Sequence, residues 1–198
     1  SCITPTRFFV HAKIYDAFAS RFSDLSSKLR LGNGLDPATE MGPLASARRI
    51  DAMQELGDDA TAKGAELCTG GRALAGDGYF YQPTVLKNVS NEAHIMTEEP
   101  FGPVTPIVPF ESEDEVVRRA NETDYALAAF VFSGEETTAS QVAQRLEAGL
   151  VGINATQVAS PKVPFGGMKD SGTGREGGMA GLMESLVTKT TTFVERQP

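Results

Sequence analysis

From residue 104 onward the chain alternates short apolar runs with amphipathic ones, and few folds accommodate that rhythm. Residues 104–110 are strand-like. Ser112-Glu113-Asp114-Glu115 reads as a capping box, with Ser as N-cap and Glu three residues on, and opens a helix to about 121. Tyr125 to Ser133 is a continuous apolar run, a strand buried on both faces if it is internal. Residues 135–148 place Ala139, Val142, Ala143 and Leu146 on one helical side, and Gly149 ends that helix. Leu150 to Asn154 is another short strand. Alternation of this kind predicts an α/β fold with a largely parallel sheet flanked by helices.

The first half fits the same class. After an opening strand, residues 13–30 carry Ile14, Ala17, Phe18, Phe22, Leu25 and Leu29 at steps of three and four, which is one apolar helical stripe. Leu31-Gly32-Asn33-Gly34 stops it. A second helix covers roughly 45–63 with Ala47, Ile50 and Met53 inward, weakened by Gly57. Residues 64–71 read as a short strand closed by glycines, with Cys68 as a small core residue. Tyr79 to Leu86 is a strand containing Pro83, hence an edge or bent strand. In Thr97-Glu98-Glu99-Pro100-Phe101-Gly102-Pro103-Val104, two prolines stiffen the loop and fix where Glu99 and Phe101 point. Residues 161–178 are irregular, and a short helix lies near 179–186. Residues 187–194 are β-prone, with Thr188, Thr190 and Thr192 on one face, and need a neighbour to pair with.

Charge and composition exclude several classes. With 18 Lys and Arg against 26 Asp and Glu, the net charge is −8, so a nucleic-acid partner is not expected. Arg48-Arg49 and Arg118-Arg119 are the longest basic runs and read as solvated helix faces. The longest apolar run is too short for a bilayer, and no signal peptide is visible. The two cysteines, Cys2 and Cys68, form no disulfide framework, His11 and His94 are isolated, and no cluster has metal-site spacing. A reducing, cytoplasmic compartment is therefore the default. Gly172 to Gly177 matches G-x-G-x-x-G in letters, but a polar loop precedes it and no βαβ unit comes after. Those glycines are better explained by close backbone packing. By itself Cys2 is either an ordinary cysteine near the chain start or a thiolate nucleophile.

Three stretches together decide between those two roles. Cys2-Ile3-Thr4-Pro5-Thr6-Arg7-Phe8-Phe9-Val10 resembles the run that begins at the nucleophilic cysteine in the NAD(P)-dependent aldehyde dehydrogenase family. Glu98-Glu99-Pro100-Phe101-Gly102-Pro103-Val104 is similar to that family's Glu-x-Phe-Gly-Pro loop. Pro164-Phe165-Gly166-Gly167-Met168-Lys169-Asp170-Ser171-Gly172-Thr173-Gly174-Arg175-Glu176 resembles its Pro-Phe-Gly-Gly and Ser-Gly-x-Gly-Arg-Glu segment. The likeness covers essentially the whole chain. It implies that Cys2 attacks a small aldehyde to give a thiohemiacetal and then a thioester, that Glu99 and Phe101 meet the nicotinamide and its ribose, and that Phe165 lines the aldehyde channel. It also implies NAD or NADP as cofactor, Arg175 and Glu176 in supporting roles, and one cleft shared by all three stretches. Residues 1–186 would be the catalytic domain, and 187–198 a strand and tail that build a homo-oligomer.

The departures from the family pattern are as informative. The chain begins almost on the nucleophile, without an initiator Met, and looks like a C-terminal, catalytic-domain part. The family's general-base glutamate, oxyanion-hole asparagine and cofactor domain have no counterpart here, so this chain alone is expected to be inactive. The loop at 159–164, the run Lys169-Asp170-Ser171 and the ending Leu186-Val187-Thr188-Lys189 look similar to succinate-semialdehyde-type members, with Lys162 a candidate for a distal carboxylate. Two other readings remain open: a catalytically silent assembly module, and a cofactor-free cysteine esterase.

Overall fold

A computed structural model describes residues 1–195. The chain divides into two compact units, Ser1–Thr123 and Asp124–Pro198, and the division falls inside the span expected to be one catalytic domain.

The first unit is built on a four-stranded sheet. Its strands are β1 (Phe8–His11), β2 (Glu66–Thr69), β3 (Thr84–Lys87) and β4 (Val104–Phe110), in the order β1-β4-β3-β2. β4 runs parallel to both β1 and β3, and only β2 is antiparallel to its neighbour. Helices α1 (Tyr15–Ser27), α2 (Ala47–Ala62) and α3 (Glu113–Asn121) complete the unit.

Strand periodicity explains how both faces are covered. Successive strand residues point to opposite sides. Val85 and Ile107 join Val10, Tyr15 and Ala19 in one apolar cluster, with Phe8, Phe18 and Phe22 packed against it. Leu86 and Val108 join Met53, Leu56, Ala60, Tyr81 and Ile95 in the other. The sheet is thus sandwiched between α1 and α2, and each fully buried aliphatic or Met side chain contributes about 1.5–3 kcal/mol.

Several expectations need adjustment. The first helix is shorter than 13–30, because a 3-10 turn occupies Ala12–Ile14 and α1 stops at Ser27. Ala47 is exposed at the first turn of α2, whereas Met53 is fully buried. Gly57 leaves room for the Tyr81 hydroxyl, which an added Cβ would approach to 3.7 Å. In the strand expected over 79–86 the sheet ladder begins only at Thr84, Tyr81 making an isolated antiparallel bridge to Ala73, and β3 is interior rather than an edge. Pro83 lies just ahead of that pairing, so its missing N–H removes no ladder bond. The Ser112 cap forms as expected, its hydroxyl accepting from the Glu115 N–H at 3.3 Å, but the Glu115 carboxylate reaches back to the Glu111 N–H instead of that of Ser112.

The second unit contains β5 (Tyr125–Ala126), β6 (Ala128–Val131), α4 (Glu136–Arg145), β7 (Leu150–Ile153), β8 (Met168–Lys169) and α5 (Gly178–Glu184). The single strand expected over 125–133 is split at Leu127, since β5 pairs antiparallel with β8 while β6 pairs parallel with β7. β6 is half-buried along its length rather than enclosed. The strand expected at 187–194 is not formed: residues 187–195 make no ladder, and Val187 and Phe193 are 96% and 87% exposed. Among the described residues no neighbouring strand meets them, and an unpaired strand has no stability of its own. The rest of the expected terminal segment, 196–198, lies outside the described residues.

Candidate active site

Cys2 sits in a tight turn in which the Thr4 N–H donates to the Ser1 carbonyl at 3.1 Å, and its thiol is exposed. The chain is then anchored by Arg7. Its guanidinium donates to the carbonyls of Ala120 (2.9 Å) and Arg119 (3.3 Å) at the C-terminal end of α3, where the helix dipole favours a cation. Burial pulls the Arg7 pKa down, opposed by the charge of Glu122. Arg7 and Arg119 both lie over the Phe9 ring, at 5.6 and 5.2 Å from its centre.

The second motif forms a rigid corner. Pro100 is fully buried, and Phe101 between the two prolines has φ +40 with its ring 53% exposed. A left-handed backbone at a residue with a Cβ costs about 1–2 kcal/mol, so the surroundings must hold it. Gly102 lies so close to α2 that a Cβ there would come within 2.2 Å of Met53 Sδ. On the far side the Pro103 carbonyl accepts the Thr84 N–H at 2.8 Å. Glu99 is exposed, and among the described residues its carboxylate has no hydrogen-bond or ion-pair partner.

Topology brings these two motifs to one end of the sheet. The Cys2 turn enters β1 and the Glu99–Phe101 corner enters β4, and these strands are adjacent and parallel with Phe8 opposite Ile107. Their N-terminal ends therefore point to the same end of the sheet, with β4 starting three residues ahead of the point opposite Phe8.

Helix α2 contributes residues that no sequence motif marks. Arg48-Arg49 was expected to be a solvated face, and Arg48 is exposed, but Arg49 is half-buried and its Nη2 donates to the Pro100 carbonyl. Asp59 accepts the His94 N–H at 2.8 Å and pairs with Lys63 at 2.6 Å, and Lys63 also donates to the Glu92 carbonyl. The Lys63 hydrogen bond, then that N–H, hold the Asp59 carboxyl below its ordinary value of 3.8. His94, isolated in the sequence, has Nδ1 at 3.8 Å from Asp59 and 3.9 Å from Glu98. A shallow pocket of about 100 Å³ is lined by Arg49, Ala52, Glu55, Leu56, His94, Glu98 and Glu99. Asp59 and the C-cap residue Lys63 are four apart and lie on one side of α2, but Arg49 is ten residues from Asp59, about 80° round the helix, so no single spacing marks all three. Arg118-Arg119 divides in the same way: Arg119 is 9% exposed and binds Glu115, Asn91 and the Pro109 carbonyl.

The third motif belongs to the second unit. Phe165, half-buried, exchanges two 2.7 Å backbone hydrogen bonds with Glu176. Arg175 closes the intervening loop by donating to the Gly167 and Gly174 carbonyls at 2.8 Å. A Cβ on Gly166 would meet the Gly174 carbonyl oxygen at 2.3 Å, and one on Gly177, at φ +70, would meet that of Val163 at 2.9 Å. Of the three glycines in the G-x-G-x-x-G run, close backbone packing accounts only for Gly177; Gly172 and Gly174 have open space around them, and Gly172 has φ +106. Lys162 is exposed. Among the described residues no group of three or more His, Cys, Asp or Glu side chains could hold a metal ion, and no helix is long and apolar enough to cross a membrane.

The arrangement is a mainly parallel α/β sheet with an exposed thiol, an exposed aromatic ring at Phe101 and a Glu99 carboxylate without a partner among the described residues. The particular family emerges from comparison. The model of the aldehyde dehydrogenase family matches residues 1–191, and the chain belongs to that family. It is 40% identical over 190 residues to the mitochondrial succinate-semialdehyde dehydrogenase of Rattus norvegicus, covering 96% of this chain and 36% of that protein. Among solved structures, succinate-semialdehyde dehydrogenase from Burkholderia pseudomallei superposes with a TM-score of 0.90 at 41% identity, over 93% of this chain and 38% of that one. A point mutant of betaine aldehyde dehydrogenase from Staphylococcus aureus, solved with NAD+ and a BME-modified cysteine, gives 0.91 at 39% identity, over 96% and 39%. The chain thus spans well under half the length of these relatives.

Proposed function

We propose that this protein serves the oxidation of a small aldehyde, succinate semialdehyde first among them, to the carboxylic acid. The observation that carries the proposal is the family match over residues 1–191. Relatives named succinate-semialdehyde dehydrogenase support the choice of substrate.

The Cys2 thiolate adds to the aldehyde carbon, forming a C–S bond and an oxyanion toward which its own backbone N–H donates. NAD or NADP, held beside Glu99 and Phe101, would supply the hydride acceptor for this carbon. Water then cleaves the thioester on Cys2, releasing the acid and restoring the thiol. Glu99 accepts hydrogen bonds from ribose hydroxyls, a role suited to a carboxylate with no partner of its own among the described residues. Phe101 offers an exposed ring as a flat apolar wall. Phe165 lines the aldehyde channel. Arg175 and Glu176 hold the Phe165 loop. Residues 1–186 act as the catalytic domain, and the strand-prone residues 188–194 join a partner's sheet in a homo-oligomer. Two free thiols suit a reducing cytoplasmic compartment.

The matched motifs supply neither a general base nor an oxyanion-hole amide, so the purified 198-residue chain by itself forms no NADH from succinate semialdehyde and NAD. NADH formation by that chain would contradict this. The exposed apolar side chains of Val187, Phe193 and Val194 favour a second reading, an assembly module without chemistry. Equal alkylation rates at Cys2 and Cys68, together with dimers in light scattering, would favour it. A cofactor-free esterase requires ester hydrolysis that disappears in Cys2→Ser.

A further inference from the structure

We propose that Arg49 on α2 is a positioning residue for the cofactor corner, acting through the peptide group between Pro100 and Phe101. The inference rests on the reading of Glu99 and Phe101 as cofactor-binding residues. Arg49 Nη2 donates to the Pro100 carbonyl, and the orientation of that peptide plane is what sets φ of Phe101 at +40. The same peptide joins Phe101 to the residue after Glu99, so one grip fixes the direction of both side chains.

Three further observations fit a clamp rather than a solvated arginine. Among the described residues the buried Arg49 Nε has no hydrogen-bond partner, so this side chain is held inside the structure at some cost. Arg49 lines the pocket that also contains Glu98 and Glu99, yet among the described residues it forms an ion pair with neither. One helical turn along, Met53 sets the depth of the corner through its contact with Gly102. Farther along, Asp59 holds the start of the same segment at the His94 N–H. The segment from His94 to Gly102 is thus fastened to one helix at both ends, and Arg49 is the fastening next to the proposed ligand-facing residues. A charged donor on a carbonyl that orients a strained residue has no need of a carboxylate partner.

The test uses the protein as natively expressed, with Arg49→Met to keep side-chain bulk without the donor and Arg49→Lys to restore a cation. NAD affinity is measured by titration calorimetry, and amide hydrogen exchange is followed at Phe101 and Gly102. The expected result is a roughly tenfold weaker NAD affinity in Arg49→Met, the scale of one hydrogen bond from a charged donor. Faster exchange is expected at Phe101 and Gly102 but not at β1, with partial recovery of both in Arg49→Lys. Unchanged affinity and exchange in Arg49→Met overturn the inference, as does an affinity loss matched by faster exchange throughout the sheet. Glu99→Gln separates the two levels. If it weakens NAD binding while Arg49→Met does not, the cofactor reading stands and the clamp falls. If the unaltered protein binds no NAD, or Glu99→Gln leaves its affinity intact, the underlying reading falls and takes the inference with it.

Discussion

Substituting Gly102 by alanine tests how tightly the Glu99–Phe101 corner is seated on α2. An added Cβ would lie 2.2 Å from Met53 Sδ and 2.8 Å from its Cγ. Ordinary carbon contacts begin near 3.5 Å, so about 1 Å of movement is needed. Gly102 has a negative φ, so the conflict is steric and not conformational. Met53 is 0% exposed and enclosed by the α2 cluster, which leaves it little freedom to swing aside. Overpacking of this kind costs about 1–3 kcal/mol. For a chain of this size that is a fall in Tm of roughly 2–12 °C. The decisive assay is a double-mutant cycle by urea denaturation. Met53→Ala alone costs about 2–5 kcal/mol through the cavity it leaves. In that background Gly102→Ala should be nearly neutral, because the atoms it strikes are gone, so the two changes should be strongly non-additive. Additive costs would refute the contact as the reason for glycine at this position.

Other expectations come from single contacts. In Gly149→Ala the new Cβ would lie 1.7 Å from the Gly166 carbonyl oxygen, a backbone atom, so the Phe165 loop must shift; proteolysis should become faster at 161–178 and not at α1. The Asp59 carboxyl lies below 3.8, so its contribution to stability is complete above that pH and is lost as pH falls through its lower folded value. The Tm of Asp59→Asn should therefore be lower than that of the parent at neutral pH, and the two curves should converge below pH 3.8; a gap that persists in acid would contradict this. Burial, with a smaller contribution from the charge of Asp58, pushes the Tyr81 hydroxyl from 10.0 up to about 12, so its contribution is complete below pH 10 and fades as pH rises toward 12. Tyr81→Phe should flatten the alkaline limb of thermal stability over that interval, and an unchanged limb would place the loss elsewhere.

Much of this architecture is legible in the sequence because it depends on local periodicity. Phe18 and Phe22 of the expected stripe, the inward Met53 and the Ser112 cap come from spacing that tertiary packing then accepts. Ile14, Ala17, Leu25 and Leu29 of that stripe are instead exposed, and the buried residues of α1 are Tyr15 and Ala19. What periodicity could not supply was pairing. Tyr125–Val131 is one apolar run in sequence, but it divides because its two halves find partners running in opposite directions. Pro83 suggested an edge strand, yet the ladder simply begins one residue later. The segment 187–194 has strand chemistry and no partner within the described chain.

The site was readable to the extent that its motifs are contiguous. Cys2, Glu99, Phe101 and Phe165 each stand in a recognisable run of neighbours. Arg49, Asp59 and Lys63 do not, because from along α2 and its C-cap they hold backbone groups of a segment distant in sequence. Paired arginines look solvated in a sequence, whereas Arg49 and Arg119 use backbone carbonyls as partners, and carbonyls carry no residue signature.

The most direct test of aldehyde oxidation at Cys2 is NADH formation by the protein as natively expressed, supplied with succinate semialdehyde and NAD, or with NADP in parallel. Turnover that is lost in Cys2→Ser and retained in Cys68→Ser is the expected result. Turnover that survives the loss of the Cys2 sulfur would show that the chemistry lies elsewhere.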